Sequence, residues 1–200
     1  MVKLEHRIAI LGGTFDPVHI GHLQLGNNAL NTLKPDIFFW IPAKRSPLKD
    51  KIYASDYHRW CMLYECLKKE KRYTLSDLEF LRESPSYTYF TLMDIKKEYP
   101  NSQLYFIMGL DTALSLPNWY KIETILKICR FAVFKRKVEL NNSLEKLPDK
   151  ILYNIDFFEI DIPDISSSLI RKKILLNEDD LYDFLDPSTI EYIKRFKLYK

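Results

Sequence analysis

The chain is poor in glycine, and this scarcity directs attention to one short stretch. It has 5 glycines in 200 residues, whereas an average content of about 7% would give roughly 14. Three of the five lie in GGTFDPVHIGH, residues 12–22, beside two of the four histidines. Where glycine is scarce, each one is expected to have a backbone reason, either a positive φ or the close approach of another group. An ordinary tight turn after a strand is the alternative explanation for the first pair.

Other absences exclude whole classes of protein. The three cysteines, Cys61, Cys66 and Cys129, form neither a CxxC motif nor an even set, which favours reduced, buried thiols over a disulfide framework. No apolar run approaches the roughly 20 residues of a membrane span, and the charged amino-terminal residues do not fit a signal peptide. The net charge of +3 is too small to indicate nucleic-acid binding by itself. We therefore expect a cytoplasmic protein that binds neither nucleic acid nor membrane.

Short apolar runs alternate with segments of helical periodicity along the chain. Buried strands are predicted at RIAIL, DIFFWIP, QLYFIMG, RFAVFKR and ILYNIDFFEI, and an extended segment at RYTLSDLEF. Helices are predicted between them, the last one beginning at Asp186-Pro187. This alternation predicts a Rossmann-like α/β fold, a doubly wound parallel sheet with helices on both faces. Because no repeat, low-complexity stretch or Pro/Gly linker divides residues 1–200, we expect a single domain.

The stretch at residues 12–22 follows a predicted strand, where ligands bind in such folds. It contains neither a Walker A loop nor a G-x-G-x-x-G fingerprint. His19 and His22 stand three residues apart at a predicted helix start, near one face. Three interpretations are open: a metal site with Asp16 as third ligand, histidines that bond turn carbonyls, and imidazoles that donate hydrogen bonds to a phosphate oxyanion.

The same stretch resembles the signature of the nucleotidylyltransferase superfamily, G-G-T/S-F-D-P-x-H-x-G-H, at every fixed position. A second segment, DISSSLIR at residues 164–171, reads by itself as a serine cap before an amphipathic helix. Beside the histidine stretch it resembles the superfamily's I-S-S-T/S-x-x-R motif. A helix N-terminus and a cation suit the β- and γ-phosphates of ATP.

Further segments resemble those of bacterial nicotinate-nucleotide adenylyltransferases, in one order over nearly the whole chain. They are WIPAKRSPLK, HRWCM, ESPSYTYFTL, YFIMGLDTALSLPNW and the closing IKRFKLY. The chain departs from the family pattern at four points: Ser46 stands in place of proline, Leu48 in place of histidine, Ser168 in place of threonine, and Lys137-Val138 in place of Pro-Gly. The change at Leu48 puts one phosphate contact in doubt, and Lys44, Arg45 and Lys49 could supply the charge.

The resemblance implies transfer of the adenylyl group of ATP to nicotinate mononucleotide, with Mg²⁺ accompanying ATP. As catalytic residues it implies His19, His22 and Arg171. For ATP binding it implies those three with Gly12, Gly13, Thr14, Phe15, Gly109, Asp111, Ser167 and Ser168. For binding of the nicotinate nucleotide it implies Lys44, Lys49, Tyr87, Thr88, Asp111, Trp119, Tyr120 and Arg136. No protein metal ligand is implied, and the protein is expected to be a monomer or a homo-oligomer.

Several alternatives stay open at this point. Trp119 and Tyr120 could be plain core aromatics, and Asp111 could cap the helix that follows it. The nearest alternative enzyme is phosphopantetheine adenylyltransferase, which shares the serine motif but usually has threonine at the position of His19. A non-catalytic nucleotide or nucleic-acid binder would require a basic, aromatic-interleaved stripe, which the sequence does not contain.

Overall fold

In a computed structural model of the chain, the described residues are 6–47, 51–83, 85–136, 147–161, 163, 165–178 and 180–200. Within them the chain forms six strands: β1 (Arg7–Gly13), β2 (Ile37–Pro42), β3 (Tyr73–Leu75), β4 (Gln103–Gly109), β5 (Cys129–Arg136) and β6 (Ile155–Ile160). The α-helices of the same residues are α1 (Ile20–Leu33), α2 (Asp56–Leu67), α3 (Thr88–Glu98), α4 (Leu110–Ala113), α5 (Ile122–Ile128), α6 (Asp149–Leu152), α7 (Ser167–Leu175) and α8 (Pro187–Phe196).

All six strands join one parallel sheet in the order β3-β2-β1-β4-β5-β6. This is the strand order of a doubly wound dinucleotide-binding fold, whose direction of winding reverses between β1 and β4. The predicted fold class is therefore confirmed. At this reversal point the chain leaves β1 toward one face of the sheet and leaves β4 toward the other. A crevice therefore opens between the carboxyl ends of β1 and β4, and in such folds ligands bind there.

Two hydrophobic cores cover the two faces of the sheet. In β1, Ala9 and Leu11 contribute to one core, and Ile8 and Ile10 contribute to the other, as the two-residue period of a strand requires. Helices α1, α2, α7 and α8 pack on the first core. Helices α3, α5 and α6 pack on the second. Both faces are buried, which explains why the strands read as continuous apolar runs.

Local predictions were confirmed at most elements and wrong at a few. Ser55 caps α2 and Asp186 caps α8, with Pro187 at its first position, as the sequence indicated. The run ILYNIDFFEI is not one strand, because its first two residues end α6 and β6 begins at Ile155. The polar segment at residues 138–150 lies largely outside the described residues. None of the helices in the described part of the chain is both long enough and apolar enough to cross a membrane.

The three cysteines are free thiols, as expected, but their burial differs. Cys129 is buried, and burial raises the pKa of its thiol to about 12. Cys61 and Cys66 are only partly buried, so the expectation of buried thiols is wrong for these two.

Candidate active site

The carboxyl ends of β1, β2 and β4 bring three predicted segments together. Gly13 of β1 is in register with Pro42 of β2, and Ala43 N–H donates to the Gly13 carbonyl at 2.8 Å. Gly109 ends β4 on the other side of β1. Residues 12–22, the loop after β2 and the start of α4 therefore lie together at the carboxyl ends of the strands.

The first two glycines of the signature are explained by close approach rather than by a positive φ. A Cβ on Gly12 would lie 3.0 Å from the Phe106 ring, and a Cβ on Gly13 would lie 2.9 Å from the Phe15 ring. No described glycine has a positive φ. Phe15 instead takes φ 50°, a left-handed conformation that a bulky residue rarely adopts, so the turn places this ring against Gly13.

His19 and His22 form a reciprocal cap at the start of α1. The His22 N–H donates to His19 Nδ1, and the His19 N–H donates to His22 Nδ1, both at 3.3 Å. The two rings stack with centroids 3.6 Å apart. A ring nitrogen that accepts a hydrogen bond carries no proton, so each neutral imidazole keeps its proton on Nε2. The pair is thus arranged as two Nε2–H donors, the chemistry that the phosphate interpretation requires.

Asp16 joins three separate segments behind this cap. Its carboxylate accepts hydrogen bonds from Tyr53 N–H at 2.7 Å, Ala54 N–H at 3.1 Å and Tyr199 Oη at 2.8 Å. Asp16 is almost fully buried. Burial and the nearby Asp16 carboxylate raise the pKa of Tyr199 well above its ordinary value. These three bonds engage both carboxylate oxygens, and the described residues contain no group of three acidic, histidine or cysteine side chains that could hold a metal.

The serine motif meets the signature through the same turn. Ser166 caps α7, with its Oγ accepting the Leu169 N–H at 3.2 Å. The Ser167 hydroxyl donates to the Pro17 carbonyl at 3.0 Å, and Arg171 Nη1 donates to the Asp16 carbonyl at 2.7 Å. Two motifs about 150 residues apart in sequence therefore share one junction.

A cavity of about 470 Å³ opens at that junction. It is lined by Asp16, Lys51, Tyr53, Ser166, Ser167, Ser168 and Arg171. The Ser166 and Ser168 hydroxyls lie 2.9 Å apart. Because the Ser167 hydroxyl already donates to Pro17, it can accept but not donate a further hydrogen bond in this arrangement. Ser167 could therefore contact a phosphate through its backbone N–H, or through its hydroxyl only if the hydroxyl rotates away from the Pro17 carbonyl.

Sequence reasoning did not assign a role to Arg59, which the structure puts between the two loops. Its side chain is fully buried, and Nη1 donates to the Thr14 carbonyl at 2.8 Å and to the Ala43 carbonyl at 2.6 Å. Nη2 pairs with Asp56 at 2.5 Å. The resemblance of HRWCM to a family segment was the sequence feature that could have identified Arg59. Its buried guanidinium, through these hydrogen bonds, connects the loop after β1 to the loop after β2.

Aromatic rings gather on the other side of the crevice. The Tyr87 and Tyr120 rings have centroids 4.8 Å apart, and Phe90 lies 5.9 Å from Tyr120. The structure thus brings together two residues predicted to bind the nicotinate nucleotide. Lys121, which sequence analysis did not assign, holds its Nζ 5.4 Å from the Tyr120 ring centroid.

Trp119 is held more firmly than a free stacking platform. Its Nε1 donates to Ser115 Oγ at 2.9 Å, and its ring meets Phe106 and Phe131 edge-on, at 5.6 and 6.1 Å. The ring is half-buried. Trp119 is thus partly a core aromatic, as one alternative predicted, and it also keeps some exposed surface. Its stacking on the nicotinate ring stays a prediction.

The remaining predicted residues occupy different positions around the crevice. Thr88 begins α3, whose N-cap Tyr87 makes no side-chain capping bond. Asp111 lies in the first turn of α4 but does not cap it, because the N-cap is Gly109. Lys44 Nζ donates to the Arg82 carbonyl at 3.0 Å. Lys49 lies outside the described residues, as does the side chain of Arg136 at the end of β5.

Comparisons with known proteins identify the family of the chain. A family profile described as Cytidylyltransferase-like matches residues 10–173. A Clostridium tetani protein named "Probable nicotinate-nucleotide adenylyltransferase" is 34% identical over 197 residues, which cover 96% of this chain and 98% of that protein. A Carboxydothermus hydrogenoformans protein of the same name is 37% identical, with 97% of this chain and 98% of that protein covered.

A solved structure extends the likeness to three dimensions. Plasmodium falciparum nicotinic acid mononucleotide adenylyltransferase complexed with NaAD matches with a TM-score of 0.79 and 25% identity, over 98% of each chain. The relatives carry the name that the motifs between residues 40 and 119, together with the closing IKRFKLY, indicated. The chain therefore belongs to the cytidylyltransferase-like family and, within it, to the nicotinate-nucleotide adenylyltransferases.

Proposed function

We propose that the chain transfers the adenylyl group of ATP to nicotinate mononucleotide, giving nicotinate adenine dinucleotide and pyrophosphate. The observation that carries the proposal is the junction at Asp16, where the turn that leads into the histidine cap is bonded to the serine–arginine motif, at the crevice beside β1 and β4. The relatives' names and the NaAD complex of the Plasmodium protein support the same substrates.

The reaction needs positioning and charge stabilisation more than proton transfer. A phosphate monoester has its second pKa at about 6, so the attacking oxygen is already ionised at neutral pH and requires no general base. His19 and His22 would donate from Nε2 to the ATP phosphates, and Arg171 would offset charge on the leaving pyrophosphate. Gly12, Gly13, Thr14 and Phe15 would shape the ATP pocket.

Mg²⁺ fits this site as an ion carried by ATP rather than held by the protein. The Asp16 carboxylate is bonded to three donors, and Mg²⁺ commonly keeps water ligands and binds substrate phosphates. When bound, it would partly neutralise the phosphate charge. The cytoplasmic location and the oligomeric state stay predictions.

The proposal is tested by comparing compounds that could accept the adenylyl group. Pyrophosphate release from ATP and Mg²⁺ is measured with nicotinate mononucleotide, nicotinamide mononucleotide and phosphopantetheine in parallel. We expect rapid release with the first and release at least about a hundredfold slower with the other two. Preferential turnover of phosphopantetheine, or no release with any acceptor while the protein is folded, would refute the proposal.

A further inference from the structure

Two residues that no motif assigned lie in the wall of the cavity at the Asp16 junction. Lys51 and Tyr53 line it together with the three serines and Arg171. Tyr53 is 52% exposed although its backbone is fixed, since its N–H donates to the buried Asp16 carboxylate at 2.7 Å. The ring is therefore offered to solvent from an anchored position.

The Tyr53 ring contacts two cationic side chains, those of Arg171 and Lys51. The guanidinium carbon of Arg171 lies 4.1 Å from the ring centroid, and Lys51 Nζ lies 4.6 Å from the same centroid. Both distances are within the range of a cation–π contact. Both cations therefore contact one neutral ring, and all three side chains belong to residues that line the same cavity.

The remaining electrostatics of the cavity favour a polyanion. Among the described residues that line the cavity, Asp16 is the one carboxylate, and it accepts hydrogen bonds from three donors. The amino terminus of α7, with Ser167 and Ser168 in its first turn, adds the positive end of a helix dipole. Like charges around one cavity repel each other, and a bound phosphate chain would offset that repulsion.

We propose that Lys51 is a further ligand of the ATP phosphate chain and that Tyr53 is a positioning residue that holds Lys51 and Arg171 for it. The identification of the anion as ATP rests on the proposed function. Lys51 and Arg171 bind the β- and γ-phosphates from two sides and retain contact with the pyrophosphate that leaves. Tyr53 acts through its ring and not through its hydroxyl.

Pyrophosphate binding, measured by calorimetry on the full chain without any pyridine nucleotide, tests this proposal. Lys51→Met should weaken binding about tenfold and reduce its salt dependence, because a charge-assisted contact is lost. Lys97→Met, which removes the same charge from an exposed position on α3, should leave binding unchanged. Tyr53→Leu should weaken binding severalfold, whereas Tyr53→Phe, which keeps the ring, should match the wild type.

Steady-state kinetics separate positioning from a general loss of structure. Lys51→Met and Tyr53→Leu should raise KM for ATP and leave KM for nicotinate mononucleotide unchanged. If Lys51→Met binds pyrophosphate like Lys97→Met, or Tyr53→Leu binds it like Tyr53→Phe, the proposal is overturned even when adenylyl transfer itself proceeds. If the wild type binds pyrophosphate as expected but adenylylates no nicotinate mononucleotide, the proposed function fails and the two cavity residues stand.

Discussion

The two sides of the crevice are built differently. The phosphate side, residues 12–22 with 166–171, has polar groups bonded to one another, several of them buried: Asp16 is 1% exposed, His19 6% and Ser167 8%. The pyridine side, residues 86–90 with 119–121, presents rings to solvent, with Tyr120 42% and Phe90 40% exposed. A polyanion is stabilised by donors fixed in advance, whereas a flat ring needs accessible aromatic surface. The comparison indicates that charge handling is preorganised and that ring recognition relies on contact area.

The strongest test of the preorganised side concerns His22. His22→Ala should lower kcat about a hundredfold or more, because one fixed donor to a transition-state oxyanion contributes about 3 kcal/mol. The same change removes half of the reciprocal cap, which costs about 1 kcal/mol of stability. Steady-state kinetics and thermal unfolding measure the two effects separately.

A matched variant distinguishes the cap from the catalytic donor. His22→Gln keeps a capping acceptor at the third helical position but replaces the fixed ring N–H with the donor of a flexible amide, so it should be nearly as stable as the wild type and have a much lower kcat. The exposed His6 serves as control, and His6→Ala should be fully active. Wild-type turnover in folded His22→Gln would contradict the role assigned to the imidazole.

The pyridine side should discriminate between nicotinate mononucleotide, which carries a carboxylate, and nicotinamide mononucleotide, which carries an amide. The first-turn N–H groups of α3 have no side-chain cap, and donors suit a carboxylate but leave an amide NH₂ unpaired. We expect kcat/KM for nicotinate mononucleotide to exceed that for the nicotinamide nucleotide by at least about a hundredfold, or roughly 2.7 kcal/mol.

Trp119 variants sharpen this prediction. Trp119→Ala should weaken both nucleotides by a similar factor because stacking does not sense the carboxylate, and it should also lower stability because the ring packs on Phe106 and Phe131. Trp119→Phe retains a ring if the first variant is too unstable to assay. A changed acid-to-amide ratio in either variant would contradict a purely stacking role.

Gly109 provides a smaller test at the boundary between the two sides. Its φ is −79°, and an added Cβ would meet nothing within 4 Å, so Gly109→Ala should leave stability nearly unchanged. If ATP approaches this backbone, kcat/KM should fall about tenfold, on the order of 1.4 kcal/mol.

The matched control is Gly26, where packing alone explains why the residue is glycine. A Cβ on Gly26 would lie 2.3 Å from Trp40, so Gly26→Ala should cost about 1–3 kcal/mol of stability through overpacking. Unchanged kinetics in Gly109→Ala would remove Gly109 from the ATP site.

The smallest expected effect concerns a buried carboxyl below the pyridine side. Burial raises the pKa of Glu79, while hydrogen bonds from Thr91 and Ser86 oppose that shift. Because the pKa is raised in the folded state, Glu79 favours folding most strongly below its unfolded pKa, and this contribution is lost as pH rises through the folded pKa. Glu79→Gln should therefore gain stability relative to the wild type between about pH 4 and pH 8. Unfolding in denaturant at both pH values measures the difference, and a constant difference would contradict a raised pKa.

Individual residues show what could be predicted from sequence. The turn at residues 12–22 and the cap at Ser166 are local, so spacing and residue type were enough to locate them. Arg59, Tyr53 and Tyr199 were missed as site residues because their roles depend on partners far away in sequence, such as Asp16. The break inside ILYNIDFFEI was also missed, because apolar content alone does not separate a helical turn from a strand.

The sequence by itself determined the alternation of strands and helices, hence the sheet, and the residue types offered to phosphate. These features follow from periodicity and local hydrogen bonding, which act over a few residues. Only the tertiary structure decided that Asp16 joins three separate segments, that Trp119 is bonded to Ser115, and that Lys51 and Arg171 contact the same ring. Those outcomes depend on which distant segments the sheet order brings into contact, and no local pattern carries that information.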